Sequence, residues 1–419
     1  MIQRIINQTI TAVVRREFSR AMRFEEGKPP LLPPATKQTP RLLYLHVPFC
    51  EKLCPYCSFN RFLFDESVCR NYFQALKKEI RLYRERGYDF GGIYVGGGTP
   101  TVMTEELADT LRVAKDCFSI REISVETNPN HLTEDRLRIL KEAGVNRLSV
   151  GVQSFDDGLL KDMDRLEKYG AGEDIAGRLA AIGGRFDTLN ADMMFNFPSQ
   201  TPDILNHDLE TLIKIGVDQV TYYPLMVSDS TRRQVAKTLG KVDYGREERF
   251  YAQILRRLLP TYRFSSAWCF SRKATMIDEY IVDYDEYAGL GSGSIGFLNG
   301  VCYANTFNIQ EYIQRIDRGE APLMADRIFS RKDRMRYDFL MKLFGTRLDL
   351  NTFRDKYGVN PWSYLWFEIL SFILAGRLRY DKGRLTLTDN GCYSWVIMMR
   401  EFFTSVNNFR DFCREKLPS

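Results

Sequence analysis

Histidine is nearly missing from this chain: His46, His131 and His207 are the only three among 419 residues, so imidazole has little to offer a metal site. No apolar run approaches the roughly 18 residues that a membrane-spanning helix needs. The N-terminus lacks the short apolar core and small-residue cleavage site of a signal peptide. A surplus of one charge is missing as well. The net charge of +5 is small for this length and does not argue for a nucleic-acid partner. There is no disulfide framework either: the nine cysteines are odd in number, and Cys69, Cys117, Cys269, Cys302, Cys392 and Cys413 stand singly. That pattern suits a reducing cytoplasm.

What remains is an ordinary globular composition, 44 % hydrophobic and 27 % charged, in a chain long enough for about two domains. Residues 1–40 form a first segment. Ile2, Ile6, Ile10, Val13, Val14 and Phe18 recur at helical spacing with Arg15, Arg16, Arg20 and Arg23 around them, and a proline-rich linker, Lys28 to Pro40, follows. Such a basic amphipathic helix suits either an anionic membrane interface or a face of its own domain. From Arg41 to about residue 230, short apolar strands alternate with helices: Leu42–Val47, Gly92–Val95, Ile123–Glu126, Arg147–Val152, Leu189–Met193 and Val217–Tyr223. The alternation predicts an α/β fold, a parallel sheet closed into a partial (β/α)6 TIM-like barrel with its chemistry at the strand C-terminal ends. Residues 231–419 change rhythm. Helices and a hairpin turning at Asp381-Lys382-Gly383 predict an α+β, winged-helix-like C-terminal domain acting as substrate domain or lid.

The densest chemistry follows the first strand, in "HVPFCEKLCPYCSF". Cys50, Cys54 and Cys57 have C-x3-C-x2-C spacing. Structural zinc wants four protein ligands, for which Cys69 is the nearest candidate, whereas an iron–sulfur cube can be held by three cysteines with one iron open. Spacing leaves both open. Tyr56 is placed to shield a cluster from water. "YVGGGTP" follows the second strand, and its glycines let the backbone approach a small polar ligand. Glu126, Gln153 and Asp192 end the next three strands, so polar groups collect on one rim.

Together these motifs resemble the radical S-adenosylmethionine (SAM) enzymes, in the group of oxygen-independent coproporphyrinogen III oxidase (HemN). The resemblance covers roughly Arg41 to Gly300. It implies that Cys50, Cys54 and Cys57 hold a [4Fe-4S] cluster whose open iron takes the amino and carboxylate groups of SAM. It also implies contacts to SAM from Tyr44, Gly97, Gly98, Thr99, Glu126, Gln153, Arg165 and Asp192. A second SAM is implied beside "GLGSGSIGF", with Ile295 as its contact. An electron donor such as flavodoxin or ferredoxin follows from the same chemistry.

Within the group, three departures point away from the oxidase and from the heme chaperones. Phe59 stands where the oxidase has a further cysteine, Ile295 where the chaperones have histidine, and Asn196 where both generally have glycine. The remaining branch is the class C radical SAM methyltransferases. The expectation is methylation of an sp2 ring carbon, that of menaquinone, by a cytoplasmic enzyme resting on the membrane through residues 1–24. An anaerobic tetrapyrrole enzyme and a non-catalytic heme chaperone are the alternatives. The tyrosine–acid run from Asp278 to Tyr287 offers candidate bases, none singled out, and the catalytic residue stays unassigned.

Overall fold

The computed structural model describes residues 2–24, 30–36, 41–229, 231–273 and 280–415, with the backbone alone at 2–5, 21, 234 and 280. Short runs such as RLLYLHV, GIYVGG and RLSVGVQ are buried nearly throughout, as strands covered on both faces must be. They build the predicted parallel sheet in the order Arg41–Val47, Gly92–Gly97, Glu122–Thr127, Arg147–Gln153, Thr188–Phe195 and Gln219–Pro224. Three of the helices between them start on side-chain caps. Asp65 accepts from Val68 N, Asp156 from Leu159 N, and Thr201 from Ile204 N before Pro202.

A further parallel strand, Glu286–Leu290, pairs with Arg41–Val47 on its other side. No strand is expected there from sequence, because EYAGL is short and interrupted by glycine. This strand brings the glycine-rich turn after it to the same rim as the cysteines. The sheet also runs on past residue 230. Ile295–Leu298, Val301–Asn305 and Leu323–Ile328 extend one edge, and Cys269–Ser271 with Arg263–Phe264 the other, twelve strands in all among the described residues. Apart from the parallel Glu286–Leu290, the strands past residue 230 pair antiparallel, so the change of sequence rhythm marks a change of pairing and not an end of the sheet.

The helix-and-hairpin unit follows. Leu378–Asp381 and Arg384–Leu387 pair around Lys382 and Gly383, whose φ values of 45° and 84° are those of a tight hairpin turn. Arg347–Asp349 adds a third strand. The last helix, Asp389–Glu415, buries Trp395, Val396 and Met399 and presents Phe402, Phe403 and Arg410 toward the barrel rim.

Along that helix lies the N-terminal one, Ile2–Ala21. Phe18 meets Phe402 edge-on at 5.3 Å, and Arg15 pairs with Glu401 at 2.7 Å. Ile10, Val14 and Phe18 pack on the core. The apolar stripe expected to meet a membrane is thus covered largely by the chain's own C-terminal helix. No helix among the described residues is long and apolar enough to cross a membrane. By contrast, Trp366, Phe367, Leu370 and Leu374 on Pro361–Leu374 are exposed.

Candidate functional site

The parallel strands end on one cavity of about 460 Å³. Tyr44, Cys50, Cys54, Cys57, Gly97, Gly98, Thr99, Glu126, Gln153, Arg165, Asp192 and Ile295 all line it, so the structure brings together every residue that the family resemblance assigned to the cluster or to SAM. Local geometry explains the glycines. Gly97 has φ 117°, and a Cβ on Gly98 would sit 2.6 Å from the Phe49 carbonyl oxygen. Only glycine lets the Gly97–Thr99 turn lie against the cysteine loop. Gln153 has φ 75° at a bulge in its strand, which turns its side chain onto the rim.

The cysteine loop is braced by Arg61, whose guanidinium donates to the carbonyls of Cys54 (2.6 Å) and Cys57 (2.7 Å). Cys50 and Cys54 are buried. Burial, with help from Cys57, pushes the Cys50 thiol up to about 12, and burial also raises Cys57. Metal-free thiolates are disfavoured here, and cations bound at the sulfurs are what would draw the protons off. Arg165 is buried beside them, 3.7 Å from Cys54 Sγ, with its Nε lacking a partner and its plane over Tyr169. Among the described residues no three or more His, Cys, Asp or Glu side chains are arranged to hold a single ion. Cys69 lies inside the hydrophobic core, so the fourth ligand that the zinc reading needed is not supplied.

Around this loop the polar groups are held in place rather than scattered. Tyr94 Oη donates to Glu126 Oε1 (3.0 Å) and Gly97 N to Glu126 Oε2 (3.2 Å). Ser149 and Asn190 each donate to Asp192, at 2.7 and 2.8 Å. Asn128 links Thr99 to Arg165, donating to the first and accepting from the second. Tyr94 and Asn128 were missed as individual residues, although Tyr94 opens the quoted YVGGGTP and Asn128 follows Glu126 by two positions. His46 sits behind the rim between Tyr44 Oη (2.9 Å) and the Asn60 carbonyl (2.9 Å), and burial holds it neutral, down to about 4.

The other half of the cavity was not visible in motifs. Phe402, Phe403 and Arg410 of the last helix face it, with Arg327, Arg336 and Tyr337 from the preceding segments. Arg410 stacks over Phe59 at 4.8 Å, and Arg414 donates to Ser58 O at 3.1 Å, so the last helix is tied directly to the cysteine loop. Of the tyrosine–acid run, Asp278 and Glu279 and the side chain of Tyr280 lie outside the described residues. Asp285 is taken by Lys342 and Lys356, Glu286 by Arg41, and Tyr284 donates to Glu122. Tyr287 lines the cavity.

The Radical SAM superfamily profile matches residues 44–212. The heme chaperone HemW of Bacillus subtilis is 31 % identical over 333 residues, covering 75 % of this chain and 86 % of that protein. The chain belongs to the radical SAM superfamily. Within it the chain falls in the HemN-like group. Anaerobilin synthase of Escherichia coli O157:H7 is 28 % identical, covering 68 % of this chain and 67 % of that protein. The solved structure of coproporphyrinogen III oxidase (HemN) from Escherichia coli shares the fold, with TM-score 0.72 and 21 % identity, covering 92 % of this chain and 93 % of that one.

The cofactors are accordingly a [4Fe-4S] cluster and SAM, and the buried thiols and the orphaned Arg165 Nε fit them. When bound, the cluster offers SAM an iron without a cysteine ligand and supplies the electron for its reductive cleavage.

These relatives overturn the quinone-methyltransferase expectation, since they are a heme chaperone and tetrapyrrole enzymes. The structure shows why one departure misled. Asn196 has φ 67° and is fully buried, with its side chain bonded to Arg246. Asparagine is the residue that best replaces glycine in the left-handed region, so the exchange keeps the turn. Phe59 and Ile295 change the cavity lining and remove none of the strand-end groups.

Proposed function

We propose that this protein is a heme-binding member of the group, a heme chaperone in kind, holding a tetrapyrrole in the half of the cavity walled by the last helix. One observation carries the reading: a single cavity joins the strand-end polar residues to an aromatic wall studded with arginines. A flat apolar ring is accommodated by Phe402, Phe403 and Tyr337, and its carboxylates by Arg410 and Arg327. In the other half, Cys50, Cys54 and Cys57 hold the cluster. Arg165 meets the SAM carboxylate, Asp192 accepts from the ribose, and Glu126, Gln153 and the Gly97–Thr99 turn fix the amino-acid end. The heme-chaperone naming of the B. subtilis relative supports the choice of heme over other tetrapyrroles.

The histidines fit a particular form of this binding. His46 is bonded at both ring nitrogens, His131 likewise to Thr101 and Glu51, and His207 is exposed on Pro202–Ile215 away from the cavity. Heme is therefore held through its ring and carboxylates rather than through imidazole. Anaerobic titration of the cluster-loaded full chain with heme tests the proposal. It predicts saturable binding of one heme per chain, a spectrum without paired-histidine features, and no SAM consumption coupled to heme. Absence of saturable binding, or decarboxylation of coproporphyrinogen in its place, would overturn it.

A further inference from the structure

The turn Gly291–Ser294 is pinned from behind by a carboxyl group that no motif contains. Glu79, on the helix Glu66–Glu85, is fully buried. It accepts from Gly291 N (2.8 Å), Tyr312 Oη (2.6 Å) and Asn305 Nδ2 (3.1 Å). Beside it Tyr72 Oη accepts from Ser292 N at 2.9 Å and donates to the His46 carbonyl at 2.7 Å. The turn approaches this support so closely that side chains are barred. A Cβ on Gly291 would sit 2.4 Å from Tyr72 Oη, and one on Gly293 2.3 Å from Asn60 Nδ2. Asn60 in turn donates to Ser292 O at 3.3 Å and lies just after the cysteine loop. On the cavity side, Gly293, Ser294 and Ile295 line the wall.

We infer that Glu79 is a positioning residue: its ionised carboxylate clamps the Gly291–Ser294 turn in the shape that lines the cavity, and protonation of Glu79 releases that turn. An ionised carboxylate is an acceptor only, and three donors converge on it. A proton placed on it adds a fourth donor, takes up one lone pair and turns charge-assisted bonds into weaker neutral ones, so the hold on Gly291 N loosens. The titratable groups facing it are Tyr72 and Tyr83 on its own helix, Tyr303 on the neighbouring strand and Tyr312 on Ile309–Asp317. Burial holds all four phenols above their ordinary range, and His46 beyond Tyr72 stays neutral. Glu79 is thus the group here that changes charge near neutrality, since burial raises it to about 7 against the pull of its three donors.

The signature separates a clamp from a merely structural contact. A buried carboxyl with a raised pKa favours the folded state when protonated, so global stability from Glu79 falls as pH rises toward 7. Protection of the turn should move the other way, rising as the carboxylate forms. Hydrogen exchange by mass spectrometry, on the full chain without ligands and corrected for intrinsic pH dependence, reads this independently of what the cavity binds. Peptides covering 289–294 should exchange about tenfold faster at pH 6 than at pH 8. In Glu79→Gln they should be fast at both, while 153–156 is unchanged. Tyr312→Phe, which removes one donor, should give a smaller increase and covers the case in which Glu79→Gln fails to fold. Wild-type protection at 289–294 in the variants, or a loss spread evenly over the chain, would overturn the inference.

Discussion

The two halves of the cavity are built by opposite means. The strand-end half is polar, and its groups are fixed by short hydrogen bonds inside one sheet: Glu126 by Tyr94 and Gly97, Asp192 by Ser149 and Asn190. The C-terminal half is aromatic and basic, and its surface is assembled from residues 327–337 and 402–410, held against the cysteine loop by Arg410 on Phe59 and Arg414 on Ser58. The first half carries chemistry shared by a superfamily. The second is where the proposed tetrapyrrole lies. The difference shows why the strand-end motifs led to the right superfamily, while the ligand expected from Phe59, Ile295, Asn196 and residues 1–24 was overturned by the relatives.

The largest expected effect lies in the first half. Cys54→Ser should abolish cluster assembly, read as loss of acid-labile sulfide and of the cluster's visible absorption after anaerobic reconstitution. Heme affinity should stay within a few-fold of wild type. Full cluster retention would dismantle the assigned ligand set, and parallel loss of heme binding would merge the two halves. Next, Asp192→Asn or Glu126→Gln should weaken SAM binding about tenfold to a hundredfold by calorimetry, through loss of a charged hydrogen-bond acceptor. In the second half, Arg410→Ala should cost roughly 1.5–3 kcal/mol of heme affinity, with SAM affinity unchanged. Equal losses of both ligands would show that Arg410 supports the loop rather than a carboxylate.

How much the sequence disclosed follows the same division. Cys50, Cys54 and Cys57, the Gly97–Gly98 turn and the strand-end Glu126, Gln153 and Asp192 were legible because local backbone demands and short-range spacing put them there. Glu286–Leu290 was not legible as a strand, since its membership depends on pairing with Arg41–Val47, 245 residues earlier between Arg41 and Glu286. Phe402 and Arg410 were invisible as lining for the same reason. Nothing local in "WVIMMREFF" says which face meets the barrel. Asn196 was legible but misread, because its φ of 67° is a property of the turn and not of the residue name.

The smallest effects concern the supports behind the rim. Asp208 mirrors Glu79: it is fully buried, accepts from Phe155 N at 2.6 Å and Ser154 Oγ at 2.9 Å, and burial raises it to about 7. For both groups the unfolded chain sheds its proton near pH 4, whereas the folded chain holds it until about 7. Their contribution to stability is therefore full below about pH 4 and lost as pH rises to about 7. Denaturant titrations of wild type and Asp208→Asn should diverge across that window by on the order of 1 kcal/mol or more. Parallel curves would mean that Asp208 ionises in the folded state as it does in water.

The most direct test of the two-half account is a ligand footprint on the cluster-loaded protein, read by hydrogen exchange with heme and with SAM added separately. Heme should slow exchange in 402–410 and 327–337, and SAM in 94–99, 150–154 and 189–195, with the 289–294 turn slowed by either. Heme protection confined to the strand ends, or absent from 402–410, would contradict the assignment of the C-terminal half as the tetrapyrrole site.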